Sequence, residues 1–128
     1  MMFKNPASVH SPLAAYSHQA QVGSSANWLV LSGQVGMDKA GCIPEDVIGQ
    51  TEIALDNILL NLQEAGMGKE NLVKLIFYFV GPHDAGQRRD IVAKKLGEAH
   101  PCMTVLFVAG LASPSLKVEI DAWACSNG

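Results

Sequence analysis

The chain has 128 residues, 48% of them apolar and 16% charged, with a formal net charge of −3 at pH 7. That is one domain of chain with a sparsely charged surface, so part of its apolar surface is expected to be buried against other copies. The composition also excludes several classes. No run of Lys and Arg is present to neutralise phosphates, which counts against a nucleic-acid partner. No uninterrupted apolar run reaches the roughly 18 residues that span a bilayer, so no membrane partner is expected.

Cys42, Cys102 and Cys125 are odd in number and fit no zinc spacing, and no secretory segment opens the chain. They read as free thiols of a cytoplasmic protein, with no metal and no cofactor implied.

Residues 1–13, with two prolines, read as an irregular lead-in. Ala14 to Val22 alternates, with Tyr16, His18, Ala20 and Val22 on one face, which predicts a strand. A turn over Gly23 to Asn27 leads to a second strand, Trp28 to Val35, and so short a connection predicts an antiparallel hairpin. After a loop, Ile48, Leu55, Ile58, Leu59, Leu62 and Ala65 form one helical stripe, with Glu52, Asp56, Asn57 and Gln63 facing away. Gly66 ends that helix.

Leu72 to Val80 is a strand with both faces apolar, so a helix layer on one face leaves the other for a partner. Asp84 and Gln87 have the spacing of a capping box opening a second helix, with Ile91, Val92 and Leu96 inward and Gly97 at its end. Met103 to Ala109 and Leu116 to Ala124 read as two further strands. The order is β-β-α-β-α-β-β, an α+β mixed sheet with two helices on one face and a single domain over 1–128.

Neither a phosphate loop nor a nucleophile elbow is present, so any chemistry must come from scattered polar residues. Glu119 shares a strand face with Asp121. Two carboxylates so placed can hold a water and move its proton, or simply form a solvated face. Tyr16 either meets a ligand or caps the core. Ser32-Gly33-Gln34 either lets a ligand approach the backbone or marks a β-bulge. The pairs Arg88-Arg89 and Lys94-Lys95 fit a solvated helix face. His10, His83 and His100 acquire no role.

Tyr16-Ser17, Leu31-Ser32-Gly33-Gln34-Val35, Gln50-Thr51 with Leu55, Asn57 and Ile58, Glu64-Ala65-Gly66, Asp84, Pro101 and Val118-Glu119-Ile120-Asp121-Ala122 run in one order over almost the full length. Together they resemble the RidA (YjgF) family. The resemblance implies a chorismate-mutase-like fold, a homotrimer and a ligand cleft between each pair of subunits. It also implies hydrolysis of reactive enamines and imines without a cofactor. Glu119 would position the water, while Tyr16, Ser32 and Gly33 line the cleft. The family reads Pro-x-Arg-[Ser/Thr] where this chain has Pro101-Cys102-Met103-Thr104, so Met103 stands where an arginine grips the substrate carboxylate. Arg89, or its neighbour Arg88, is the candidate replacement cation. A small ligand bound without catalysis is the alternative. A ribonuclease activity, attributed to some relatives, is disfavoured by the charge.

Overall fold

In the computed structural model, which describes residues 1–127, two strands carry the period-two burial that the sequence encodes. In β5 (Leu72–Phe79), Leu75, Phe77 and Phe79 are buried, while Lys74, Ile76 and Tyr78 on the other face are half-buried. In β7 (Val118–Ser126), Val118, Ile120, Ala122 and Ala124 are buried and alternate with Glu119, Asp121 and Trp123. Successive side chains point to opposite faces of a strand, so each of these strands gives one face to the core and one away from it.

The sheet is completed by β3 (Asn27–Val30), β4 (Gln34–Val35) and β6 (Cys102–Phe107) in the order β3-β7-β5-β6, with β4 also on β7. Only β5 and β6 are parallel, and α2 (Ala85–Leu96) connects them as a parallel pair requires. Helix α1 (Val47–Glu64) buries Ala54, Leu55, Ile58 and Leu62 against the core face, where Phe77 and Phe79 stack 6.0 Å apart. Burying each such ring contributes about 2–3 kcal/mol. Asp46 and Asp84 cap the two helices by accepting from the backbone N–H of Gly49 and Gln87. Gly66 and Gly97 end them at φ of 71° and 57°, a left-handed geometry that costs glycine little. The two helices are tied together by Lys95, whose Nζ lies 2.8 Å from Asp56 and 3.4 Å from Glu52.

The α+β mixed sheet with two helices on one face stands, with corrections to its strands. Ala14 to Val22 is not one strand. Only Gln19–Gln21 (β2) is extended, and it pairs with Met2–Lys4 (β1), in the segment expected to be irregular. The hairpin between the first and second expected strands does not form, because Asn27–Val30 pairs with β7 instead. The second strand is itself broken. Between the pairs Val30–Trp123 and Gln34–Ile120, residues 31–33 face only residues 121–122, so one residue is extra and the strand bulges. Lys95, expected on a solvated face, is instead an interhelix ion-pair partner.

Polar side chains inside the fold hold the irregular segments. Gln50, fully buried, donates to the carbonyls of Pro44 and Ser115 and accepts from the N–H of Lys117. Asn57 donates to the carbonyls of Val35 and Met37. A Cβ at Gly36 would lie 2.5 Å from Cα of Gln50, so only glycine lets the segment pass α1 this closely.

The sheet face away from the helices is largely exposed among the described residues. It presents Val30 and Trp28, 62% and 52% exposed, with Ile76, Leu106 and Trp123 beside them.

Candidate functional site

One pocket of about 590 Å³ lies between residues 13–16, α2 and β6. Ser17 explains why the first of these segments sits there. Its Oγ donates to the carbonyl of His100 at 2.7 Å and its N–H to that of Pro101 at 3.3 Å, which fastens the segment to the turn entering β6. Tyr16, one residue before this anchor, then faces the pocket. Its hydroxyl accepts from the N–H of Leu13 at 3.1 Å, which leaves the hydroxyl proton free for another acceptor. His18 packs edge-on against the tyrosine ring, with centroids 5.6 Å apart.

The remaining walls are apolar on the sheet side and charged, of both signs, on the helix side. Phe77, Met103 and Val105 come from the sheet, and Val92, Arg88, Arg89 and Asp90 from α2. Arg89 is exposed, whereas Arg88 is half-buried. The Arg88 guanidinium carbon lies 5.6 Å from the centroid of Phe79, and Nη1 is 2.7 Å from Nε2 of His83. Burial lowers the pKa of Arg88, and the charge of Arg89 lowers it further. His83 packs against Phe79 at an interplanar angle of 41°, with centroids 4.3 Å apart, and stacks 5.5 Å from Phe107. Burial, followed by the charge of Arg88, pushes its pKa below the ordinary 6.5, opposed by the Gly81 carbonyl and by Asp84.

A second group of predicted residues gathers at the bulge. Ser32 is exposed, and its carbonyl accepts from Gln34 Nε2 at 2.9 Å. Gly33 lies directly beneath the half-buried side chain of Glu119. Tyr78, opposite Glu119 in the ladder, donates to Asp121 at 2.9 Å. That bond raises the tyrosine pKa, and burial and the charges of Asp121 and Glu119 raise it further. On the same face Lys74 donates to Thr104 at 2.8 Å. Burial pushes the Cys102 thiol up, against the charge of Lys74, which keeps it from being a ready thiolate.

The predicted site residues therefore divide in two. Tyr16, Arg89 and Met103 meet in the pocket. Ser32, Gly33 and Glu119 meet at the bulge, and Thr104 shares their sheet face. Met103 packs toward the core beside Leu75, whereas Glu119 alternates with core residues and so projects from the opposite face. Within one chain the two groups are separated by the thickness of the sheet. Sequence reasoning missed Arg88's partner His83, whose place depends on Phe79 and Phe107. The anchor that Ser17 forms has no local signal either, because its partner carbonyl lies 83 residues on. Among the described residues no cluster of three or more His, Cys, Asp or Glu could hold a metal ion, and no helix is long and apolar enough to cross a membrane.

Residues 7–126 match the family model described as endoribonuclease L-PSP. A RutC family protein of Pyrococcus horikoshii is 30% identical over 115 residues, 88% of this chain and 88% of its own. Among solved structures, the conserved Rid family protein YyfB of Yersinia pestis superimposes with a TM-score of 0.86 at 27% identity, covering 98% of each chain. RidA of the Antarctic bacterium Psychrobacter sp. PAMC 21119 does so at 0.71 and 25%, covering 89% of this chain and 90% of that one.

Proposed function

The chain belongs to the endoribonuclease L-PSP family, that of the RidA and YjgF proteins, and on that premise we propose that it is a hydrolytic deaminase of reactive enamines and imines with an altered choice of substrate. The observation that carries this reading is the division of its polar residues. One chain holds two half-sites on opposite faces of its sheet, and the bulge face exposes the apolar side chains of Trp28, Val30 and Leu106. In a homotrimer each cleft takes the pocket with Tyr16, Arg89 and Met103 from one copy and the bulge with Ser32, Gly33 and Glu119 from the next.

In that cleft Glu119 orients a water and takes its proton as the oxygen attacks the C=N carbon. The C=N electron pair moves to nitrogen, which takes that proton back from Glu119. The hydroxyl proton of the resulting carbinolamine passes to nitrogen as the C–N bond breaks and C=O forms, and ammonia leaves. The imine is already reactive, so the reaction needs no cofactor. Met103 replaces a charged grip with a soft apolar wall, which favours guests other than small hydroxylated imino acids.

The family's name points to RNA cleavage. A net charge of −3 and a surface without a basic stripe argue against RNA as the substrate here. The apolar pocket wall around Met103 favours one alternative, a ligand-binding or regulatory protein that uses the same cleft without turnover. The test is ammonia release from imines generated in place by amino-acid oxidases, spanning apolar, basic and hydroxylated side chains. Release that is lost in Glu119→Gln supports the deaminase. Saturable ligand binding with no release from any imine supports the alternative.

A further inference from the structure

Two histidines lie side by side in the first part of the chain, outside both the pocket and the bulge. His10 stands in the loop after β1, and His18 immediately precedes β2. Their ring centroids are 4.9 Å apart, with the planes at 78°. His10 is exposed and His18 half-buried, so solvent reaches both.

Each ring is held by a backbone carbonyl. A carbonyl oxygen only accepts, so the ring nitrogen that meets it carries the proton. Nε2 of His18 donates to the carbonyl of His10 at 2.6 Å, and Nδ1 of His10 donates to that of Ser11 at 2.8 Å. In the neutral rings the lone pairs therefore sit on Nδ1 of His18 and Nε2 of His10. The hydrogen bonds of the described residues leave both of those nitrogens unused. A metal-ligating histidine is held in the same way: its other ring N–H donates to a carbonyl or carboxylate, which fixes the tautomer and orients the ring.

The spacing fits a shared ion. A late first-row divalent cation sits about 2.0–2.1 Å from an imidazole nitrogen, hence about 3.2 Å from the ring centre. Two rings on one such ion, at an angle of about 90–110°, have centres about 4.5–5.2 Å apart. The observed 4.9 Å falls inside that range.

The donor set selects the class of ion. Residues 1–37 contain neither Asp nor Glu, so no carboxylate of this segment joins the pair. Imidazole nitrogens suit nickel, copper and zinc, whereas magnesium and calcium require oxygen ligands. Lys4 faces Gln19 across the β1–β2 ladder, one residue from His18, and its charge opposes a dication. With two protein ligands and that cation nearby, the affinity is moderate, below that of a structural zinc site.

We propose that His10 and His18 form a binding site for a nickel(II)-, copper(II)- or zinc(II)-type ion, completed by water, that clamps the lead-in segment beside Tyr16. The segment is already drawn to His18, whose backbone N–H donates to Oδ1 of Asn5 at 2.8 Å and whose ring packs edge-on against Tyr16. An ion on both rings adds a further tie between residues 10 and 18.

The probe is nickel(II), which the exposed thiol of Cys42 does not reduce, titrated calorimetrically into the full chain without a polyhistidine tag. One ion binds per chain, and magnesium(II) gives no heat. His10→Ala and His18→Ala each weaken binding by at least the roughly tenfold that loss of an outer-shell partner costs a metal site. His10→Ala keeps the carbonyl that His18 bonds, so circular dichroism is unchanged and the loss reports the ligand. His100→Ala and Cys42→Ser bind as wild type does. The bound ion slows tryptic cleavage after Lys4, next to Asn5 of the clamped segment. No binding at submillimolar nickel(II), binding unchanged in both His10→Ala and His18→Ala, or saturation that leaves cleavage after Lys4 as fast as before would each overturn the proposal. None of these readouts depends on turnover, so they stand or fall apart from the deaminase reading.

Discussion

The side chain of Glu119 rests on Gly33, so closely that a Cβ at residue 33 would lie 2.7 Å from both Cγ and Cδ of the glutamate. The bulge at residues 31–33 creates this contact by bringing the backbone under a side chain of the neighbouring strand. Gly33 does not have a positive φ, so the backbone would tolerate alanine, and the three nearest atoms that a Cβ would meet all belong to Glu119.

Gly33→Ala should therefore displace a functional group more than it destabilises the fold. The Glu119 side chain can swing aside, at a cost of about 1 kcal/mol. A misplaced water-positioning carboxylate should lower turnover by up to about 100-fold. Ammonia release and a thermal melt measured on the same sample separate the two effects. A variant as active as wild type would show that the carboxylate's position is immaterial.

Glu119→Gln keeps the shape and removes the proton acceptor. Turnover should fall by about 100-fold or more with the melting temperature unchanged. Adding Gly33→Ala to it should cost little further activity, because both changes act on one group. Additive losses would place Gly33's contribution elsewhere, for example in direct contact with ligand.

These residues differ in how far sequence alone could locate them. Alternation in β7 and in β5 is set by burial of one face, a local pattern, so both strands and the face shared by Glu119 and Asp121 were legible. The Asp84 cap was legible for the same reason. Residues 14–22 alternate as well, but over 14–18 the chain is held by Ser17 being tied to residues 100–101 while Tyr16 and His18 pack together, and only Gln19–Gln21 enters a ladder. The strand at Met2–Lys4 has no signal of its own, because three residues carry too little periodicity. Gln50 reads as a polar residue at the head of an apolar stripe, and only the approach of Pro44, Ser115 and Lys117 makes it a core residue. His83 depends on Phe107, which reaches it through the β5–β6 pairing rather than through any local spacing.

The uncovered sheet face predicts an assembly. Wild-type protein should sediment at three times 13.6 kDa. Val30→Asp, at a position 62% exposed in the single chain, should sediment at 13.6 kDa with its secondary structure kept. A carboxylate buried without a partner in an interface costs several kcal/mol, enough to dissociate it. The same variant should lose ammonia release, because each chain would keep only half a site. A wild-type protein that sediments as a single chain would remove the shared cleft.

Gln50→Leu tests the polar tie between α1 and the segment entering β7. Leucine fills the space but leaves the carbonyls of Pro44 and Ser115 and the N–H of Lys117 without their side-chain partner. Stranding buried polar groups costs about 1–3 kcal/mol each, less where water reaches them, so a loss of about 3 kcal/mol is expected. A lower urea midpoint at unchanged slope would report it. An unshifted midpoint would mean that those groups find other partners.

His83 ties stability to pH in a direction that can be worked out. Its pKa in the folded protein lies below the 6.5 of a free histidine, because burial and the charge of Arg88 oppose a second positive charge. Well above pH 6.5 the ring is neutral in both states and contributes no slope. As pH falls through 6.5 the unfolded chain takes up a proton that the folded protein refuses, so the unfolded state gains and stability falls. The loss levels off once the folded ring also titrates, and there the Arg88 contact opens because Nε2 no longer accepts. Glutamine at 83 cannot titrate, while His10, His18 and His100 remain in both proteins. The difference in urea midpoint between wild type and His83→Gln should accordingly be constant above about pH 7.5 and shift against wild type from pH 6.5 downward. Parallel stability profiles for the two proteins between pH 5 and pH 8 would mean that His83 titrates in the folded protein as it does in the unfolded chain.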